Sequence, residues 1–356
     1  MTDDQNLGKP IQRADTKSAG DGYLALFGGV RGWERNPKSY RPSDDGVHIA
    51  DSNDQWEWWY FDFSFDNGYK AVATLHYHNI FLLPHQPTTQ LFVYPPDGPP
   101  KAKLWASRPG QENFAAKDRC YVKMGDLVAE DTGEGYRLKM IMGDLGVDLI
   151  IRNTLPGWKA GSGRMWTNGE QETGWVVPVP RGSVEGFLIL DGAPQSVRGT
   201  AYHDHNWGNF EMEERFWGWY WGRIFDSTYT LIYGWVIPKE DHHPIVSPFL
   251  LGKDNQIVLG ADQIKVTIEE ARRDEQFGWD IPMRLRLQCQ GEGIEVNGVL
   301  TTERIVETLK LPRGPNFYHY YRLLATYQAD ITIDGHKGQS PDHVSGETLH
   351  EFMILE

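Results

Sequence analysis

Between Gly199 and Asn209 the chain reads Gly-Thr-Ala-Tyr202-His203-Asp204-His205-Asn206-Trp207-Gly-Asn, a dense polar and aromatic run where a buried strand should be apolar. Side chains alternate faces along a strand, so His203, His205 and Trp207 share one side while Tyr202, Asp204 and Asn206 share the other. Buried polar groups need partners, so such a run implies a hydrogen-bonded network. It is more than packing alone calls for, which makes Asp204 and His205 candidates for proton transfer and Tyr202, Asn206 and Trp207 for substrate contact. A second run, Trp56-Glu57-Trp58-Trp59-Tyr60-Phe61-Asp62, places one carboxyl among aromatics on each face: Asp62 with Trp58 and Tyr60, Glu57 with Trp59 and Phe61. A carboxyl desolvated in this way tends toward a raised pKa, as a general acid at neutral pH requires. The plainer alternative is that Glu57 or Asp62 accepts hydrogen bonds and locks the sheet. A third group, His76-Tyr77-His78, adds a second His-x-His to that of His203 and His205, and four imidazoles on strands could hold a metal. Strand histidines more often serve a core or pocket, and the expectation is no metal and no cofactor.

The elements that must position these residues are strands. Short apolar or alternating runs (Tyr69–Tyr77, Asp148–Asn153, Gly186–Leu190, Thr228–Val236, Ile264–Ile268) are separated by Asp-Gly, Asn-Gly and Pro-rich turns. The only helical candidate is Glu269–Glu275, and Tyr94–Pro100 and Pro156–Gly174 read as long connections. Two motifs recur in the same order. Val197-x-Gly199-x-x-x-His203-Asp204 returns as Val344-x-Gly346-x-x-x-His350-Glu351, and Trp56-x-Trp58-x-Tyr60 is echoed by Trp217-x-Trp219-x-Trp221. A duplicated unit is the simplest source of that order. The predicted organisation is a flexible polar arm over 1–20, a first domain over 21–213 and a second over 214–356.

A formal net charge of -14 and the absence of any Lys/Arg cluster exclude nucleic acid as the expected partner, because phosphate binding draws on concentrated positive charge. The two cysteines are far apart and match no metal or redox spacing, so a disulfide framework is not expected. No apolar run is long enough to span a bilayer and the amino terminus is polar, which predicts a cytoplasmic protein without stable membrane insertion. Gly28-Gly29 lacks the Lys-Ser/Thr of a phosphate loop, and no Gly-x-Ser-x-Gly elbow occurs. Aromatics make up 13% of the chain, a supply that suits an apolar ligand cavity as well as a core.

The segments WEWWYFD, G-x-A-Y-H-D-H-N-W-G-N and FWGWYWGRIFD together resemble the hydroxyneurosporene synthase (carotenoid 1,2-hydratase) and AttH-like family of tandem lipocalin-like proteins, from Trp56 to the carboxyl end. The resemblance implies an all-β fold of two calycin-like β-barrel or β-sandwich domains with little helix, and a pocket at or near their interface. It also implies chemistry without organic cofactor on isoprenoids or polyenes, among relatives that include carotenoid and plant-toxin hydratases and fungal Diels–Alder cyclases. In the hydratases a His-x-Trp pair and a later Tyr-x-Asp pair serve proton transfer and cation stabilisation. His205 and Trp207 match the first pair; Tyr233-Gly234-Trp235 matches the second except that tryptophan replaces the acid.

The leading expectation is an enzyme that folds an apolar small molecule and cyclises, isomerises or hydrates it. Glu57, Asp204 or His205 would move the proton, and Trp58, Tyr60, His76, His78, Tyr202, Asn206, Trp207, Trp219, Trp221, Tyr233 and Trp235 would line the substrate. A non-catalytic carrier using the same cavity is the second reading. A metal-dependent oxygenase built on His76, His78, His203 and His205 is the third.

Overall fold

The computed structural model describes residues 40–48, 54–78, 86–167, 170–239, 249–254, 256–260, 264–291, 293–313, 316–333 and 340–356. The expected arm over 1–20 and the Gly28-Gly29 pair lie outside them. The chain divides into two compact units, one comprising Trp33–Glu211 and the other carrying Met212–Glu356. Each is one antiparallel sheet, and the fold class is all-β.

The N-terminal unit holds β1 (Trp56–Phe65), β2 (Lys70–His78), β3 (Thr88–Tyr94), β4 (Lys101–Ala106), β5 (Asn113–Ala115), β6 (Tyr121–Met124), β7 (Leu127–Asp131), β8 (Tyr136–Met142), β9 (Leu145–Asn153), β10 (Trp158–Thr167), β11 (Glu172–Leu190) and β12 (Ala193–Gly208). They run β4-β3-β2-β1-β12-β11-β9-β8-β7-β6-β5, with β10 attached to β11. The tight β11–β12 turn uses Asp191 and Gly192, both at positive φ (52° and 79°), as a two-residue hairpin whose twist matches the strands demands. The sheet curls far enough for Lys103 on β4 to pair with Asp144 in the β8–β9 turn at 2.8 Å. Its concave side is filled by Trp59, Phe61 and Phe63 of β1, Ala71, Ala73 and Leu75 of β2, and Leu138, Leu149 and Val184 from the far side.

The C-terminal unit holds β13 (Phe216–Phe225), β14 (Tyr229–Pro238), β15 (Phe249–Lys253), β16 (Gln256–Gly260), β17 (Ile264–Arg273), β18 (Asp280–Gly291), β19 (Ile294–Arg313), β20 (Asn316–Ile333) and β21 (Asp342–Leu355), in the order β16-β15-β14-β13-β21-β20-β19-β18-β17. That is the N-terminal order with β13 in the place of β1 and β21 in the place of β12. The register repeats as well. Phe61 stands opposite His203 and Trp58 opposite Asn206, while Gly222 stands opposite His350 and Trp219 opposite Met353. The two sequence echoes therefore occupy equivalent sites in equivalent ladders.

Two expectations are corrected. Glu269–Glu275 is not helical: through Arg273 it continues β17, whose alternating Val266 and Ile268 set a strand. Glu269 is held there across the ladder by Arg284 at 2.9 Å and by Arg286. Cross-strand pairing of this kind overrides a weak helical preference. Pro156–Gly174 is no loop either, since Trp158–Thr167 forms β10 and Trp158, fully buried, packs edge-on against Trp175 at 5.8 Å. Among the described residues no helix is long and apolar enough to cross a membrane.

Gly218 in β13 has φ +149°, and a Cβ there would lie 1.9 Å from the carbonyl oxygen of Met353. Gly218→Ala should therefore lower the urea midpoint of the C-terminal unit, at a cost of about 1–3 kcal/mol, and an unchanged midpoint in equilibrium unfolding would show that the ladder accepts a side chain there.

Candidate functional site

The polar run of β12 is split by strand alternation into two clusters on opposite faces of the sheet. His203, His205 and Trp207 point to the concave side together with Glu57 of β1, and the first two stack on their ladder neighbours there, His203 on Phe61 (centroids 4.0 Å) and His205 on Trp59 (4.1 Å). Onto this side a short turn delivers two residues that sequence reasoning missed, Asp45 and His48. Pro42 opens the turn (Pro42–Asp45) with a φ already fixed for it, and the Asp44 carboxylate caps it by accepting the Arg41 amide at 2.6 Å. Asp44 also pairs with Lys159 of β10 at 2.9 Å, which leaves Asp45 to turn inward and become fully buried.

A continuous chain of ionisable groups results. Asp45 Oδ2 accepts the Tyr136 hydroxyl at 2.9 Å and lies 3.1 Å from His203 Nε2, while His203 Nδ1 donates to the Tyr60 carbonyl at 2.9 Å. Asp45 Oδ1 lies 3.3 Å from His205 Nδ1, and His205 Nε2 is hydrogen-bonded to Glu57 Oε1 at 2.9 Å. Glu57 Oε1 also accepts the His48 amide at 2.7 Å and stands 3.3 Å from His48 Nδ1. The His48 ring stacks flat on Trp207 at 3.6 Å. Asp45, Glu57, His203 and His205 expose no surface, whereas the His48 side chain is 28% exposed. The second oxygen of Glu57 is buried with no partner among the described residues.

The electrostatics follow from these contacts. Burial alone would strip His205 of its proton, but the Asp45 carboxylate 3.3 Å away, the hydrogen bond to Glu57 and the charges of both acids outweigh it and hold its pKa above the ordinary value of 6.5. Burial would likewise protonate the acids, yet His203 and His205 bring Asp45 down to about 2, and His205 and His48 hold Glu57 below its usual range. The Glu57 carboxyl is thus ionised: desolvation does push its pKa up, but the histidines outweigh it, and the expected raised pKa of a general acid is not found there. The proton of the pair rests on His205. His48 is shifted the other way, mainly by burial, so it stays neutral beside the charged ring.

On the opposite face the Asp204 carboxylate accepts three donors: Trp175 Nε1 at 2.9 Å and the Tyr202 hydroxyl at 2.8 Å on one oxygen, and Asn206 Nδ2 at 2.9 Å on the other. Trp58 lies on this face beside His76 (5.8 Å), Trp56 stacks on Trp58 (4.9 Å) and Tyr60 meets Tyr202 edge-on (6.3 Å). Glu57 and His205 are thus brought together, and Asp204 is separated from them by the sheet. Asp45 and His48 sit in a Pro/Gly-rich stretch without periodicity, and its one signal is the carboxyl pair Asp44-Asp45 behind a proline just upstream of the tryptophan strand.

The four histidines of the metal reading do not converge, because His76 shares the face of Trp58 while His203 and His205 point the other way; His78 is half-buried at the end of β2 opposite Glu57. Two other sets bring ligand-type atoms within 4.8 Å of one another: His48, Glu57 and His205, and Asp45, Cys120 and His203. In the first set Glu57 Oε1 is already engaged by His205 and by the His48 amide. In the C-terminal unit Trp219 donates to Glu351 at 3.0 Å, as does Tyr320 at 2.6 Å, on the face that also carries Trp221. Tyr233 and Trp235 point into the opposite, core side.

Because its folded pKa is raised, His205 holds more proton in the folded than in the unfolded chain over a window that opens at about pH 6.5. Its folded pKa is raised, so its contribution to stability is complete below 6.5 and is lost as pH rises through the folded value. Thermal unfolding should therefore show Tm falling across that window in the wild type and a flatter profile in His205→Gln; equal slopes would mean the ring is not held charged.

An AttH-like family profile matches residues 101–311. A hydroxyneurosporene dehydrogenase of Chlorobaculum tepidum is 29% identical over 160 residues, covering 42% of this chain and 39% of that protein, so the match spans well under half of the relative. The ceramide-binding protein svf-1 of Neurospora crassa is 23% identical over 255 residues, covering 68% of this chain and 67% of that one. Among crystal structures, one described as an AttH from Nitrosomonas europaea superposes with TM-score 0.64 at 20% identity, covering 87% of this chain and 95% of its own. Kievitone hydratase from Nectria haematococca follows with TM-score 0.57 at 15% identity, covering 95% and 96%. These structural likenesses show a shared lipocalin-like fold.

Proposed function

The chain belongs to the AttH-like family, and we propose that it is an enzyme of small-molecule metabolism which adds water to an apolar substrate, or cyclises or isomerises it, without an organic cofactor. The observation that carries this is the His205 ring held between two buried carboxylates, 3.3 Å from Asp45 and 2.9 Å from Glu57. Buried ion chains are a poor way to stabilise a fold, because desolvation offsets most of the Coulomb gain. Structural need alone does not account for two carboxylates and three histidines gathered on one face of an aromatic sheet. In this reading the His205–Glu57 pair supplies the proton, and His48, with its solvent-exposed edge, relays it to the open side. Indole faces, Trp207 beneath the His48 ring first among them, would stabilise the cationic charge that develops. In a hydration the substrate double bond takes this proton, water adds to the resulting cation, and the proton that water releases restores the pair. A cyclisation or isomerisation would return the proton from the substrate instead. Asp204, saturated by three donors on the other face, is here a positioning group for the sheet rather than a catalytic residue. The relatives named for hydratase and dehydrogenase activity support an enzyme more than a passive fold.

One observation favours a second reading. Glu57 and His205 have no exposed surface, and a chain of that kind could simply lock a carrier, in keeping with a relative named for ceramide binding. Mass spectrometry of the apolar molecules that co-purify with the wild type and with Glu57→Gln separates the two. An enzyme yields a product on the wild type and its precursor on the variant, lighter by one water for a hydration and of equal mass for an isomerisation. The same unaltered molecule on both would remove the enzyme reading and leave the carrier.

A further inference from the structure

The interior of the C-terminal sheet carries polar atoms that its own side chains leave unmet. Tyr233 on β14, Gly222 on β13 and His350 on β21 form one row across three neighbouring strands, and Tyr220 lies two residues from Gly222 on the same face. Tyr220, Tyr233 and His350 are each fully buried. The Thr302 hydroxyl gives its single proton to the Pro282 carbonyl at 3.0 Å, so toward His350 Nε2, 3.3 Å away, it can only accept. His350 therefore carries its proton on Nε2, and burial, which holds its pKa down to about 3, keeps the ring neutral. Its Nδ1 is then a bare acceptor, and it has no partner among the described residues; neither do the hydroxyls of Tyr233 and Tyr220. The Tyr233 hydroxyl lies over Gly222, only 2.6 Å from where a Cβ would stand, so the missing side chain is what admits it to the row.

The N-terminal unit shows the same row closed from within. Its members are Ala73, Phe61 and His203, the Phe61 ring covers His203 at 4.0 Å, and the Asp45 carboxylate completes His203 at 3.1 Å. In the C-terminal unit a glycine replaces that ring, a phenol replaces the alanine methyl, and the segment leading into β13 is the helical turn Met212–Arg215. No described carboxylate is bonded to His350 there.

We propose that this interior face is a second binding site, for an alcohol. The ligand's hydroxyl donates to His350 Nδ1 and accepts from Tyr233 or Tyr220, and its apolar body packs against the Tyr220, Trp235 and Phe352 stack, where ring centroids lie 4.9 and 4.5 Å apart. An alcohol is the simplest group that offers one donor and one acceptor together, as an acceptor beside phenolic donors demands. A sheet of eight or nine curled strands encloses about enough room for its side chains or for one small ligand. The site is built from residues of the C-terminal unit and uses no residue of the Glu57–His205 chain.

Decanol and n-decane titrated into the full chain, read by quenching of tryptophan fluorescence, test this. Saturable decanol binding is expected, weakened roughly 3- to 10-fold in Tyr233→Phe, as one hydrogen bond accounts for. Decane affinity should be equal in the two proteins. Tyr220→Phe is a second variant that keeps the ring and therefore the stack. Glu57→Gln should bind decanol like the wild type, so failure of the catalytic reading would leave this result standing. Absence of saturable decanol binding, an affinity unchanged in both tyrosine variants, or loss confined to Glu57→Gln would overturn the site and leave ordered water as the partner of these groups.

Discussion

Three groups without water-accessible surface, Asp45, His205 and Glu57, share one positive charge between two negative ones inside an otherwise apolar sheet, and much of the N-terminal unit is arranged to make that arrangement tolerable. An isolated ion transferred to such a place would neutralise itself. Here each carboxylate has a further donor: the Tyr136 hydroxyl on Asp45, the His48 amide on Glu57. The requirement reaches back into local structure. Asp45 arrives only because Pro42 and the Asp44 cap form a tight turn, and Lys159 on β10 clamps that turn by its other acid. The extra hairpin strand β10, which has no counterpart in the C-terminal order, thereby acquires a role in the site.

Comparison of the two units shows what the ion chain replaces. Strand order and the β1–β12 register recur in β13–β21, yet the positions of Glu57, His205 and Trp207 are taken by Gly218, Phe352 and Ile354. The concave face that is ionic in one unit is aromatic in the other. What both retain is a carboxylate on the opposite face, Asp204 or Glu351, satisfied by an indole and a tyrosine hydroxyl. A feature held in both ladders fits a structural task, and one confined to a single ladder fits a chemical one.

Much of this was legible in the residues. Alternation placed Glu57 with Trp59 and His205 with Trp207 on single faces, and the spacing of the two Val-x-Gly motifs carried the ladder equivalence, because period-two geometry is local and needs no knowledge of the partner strand. The charge state of Glu57 was not legible. Desolvation is a property of the strand itself, but the groups that reverse it are His205, on a strand 148 residues away in sequence, and His48, which follows a turn that no period marks. Asp45 and His48 were missed for that reason, and Glu269–Glu275 was misread because its cross-strand arginines lie on β18.

The protonation state of His205 bears most directly on the account. Nitrogen NMR of histidine-labelled protein at neutral pH, assigned by comparison with His205→Gln, should show both ring nitrogens of His205 protonated, and this double protonation should be lost in Asp45→Asn or Glu57→Gln. A neutral His205 with one bare nitrogen in the wild type would contradict the account, since the proton assigned to catalysis would then be absent.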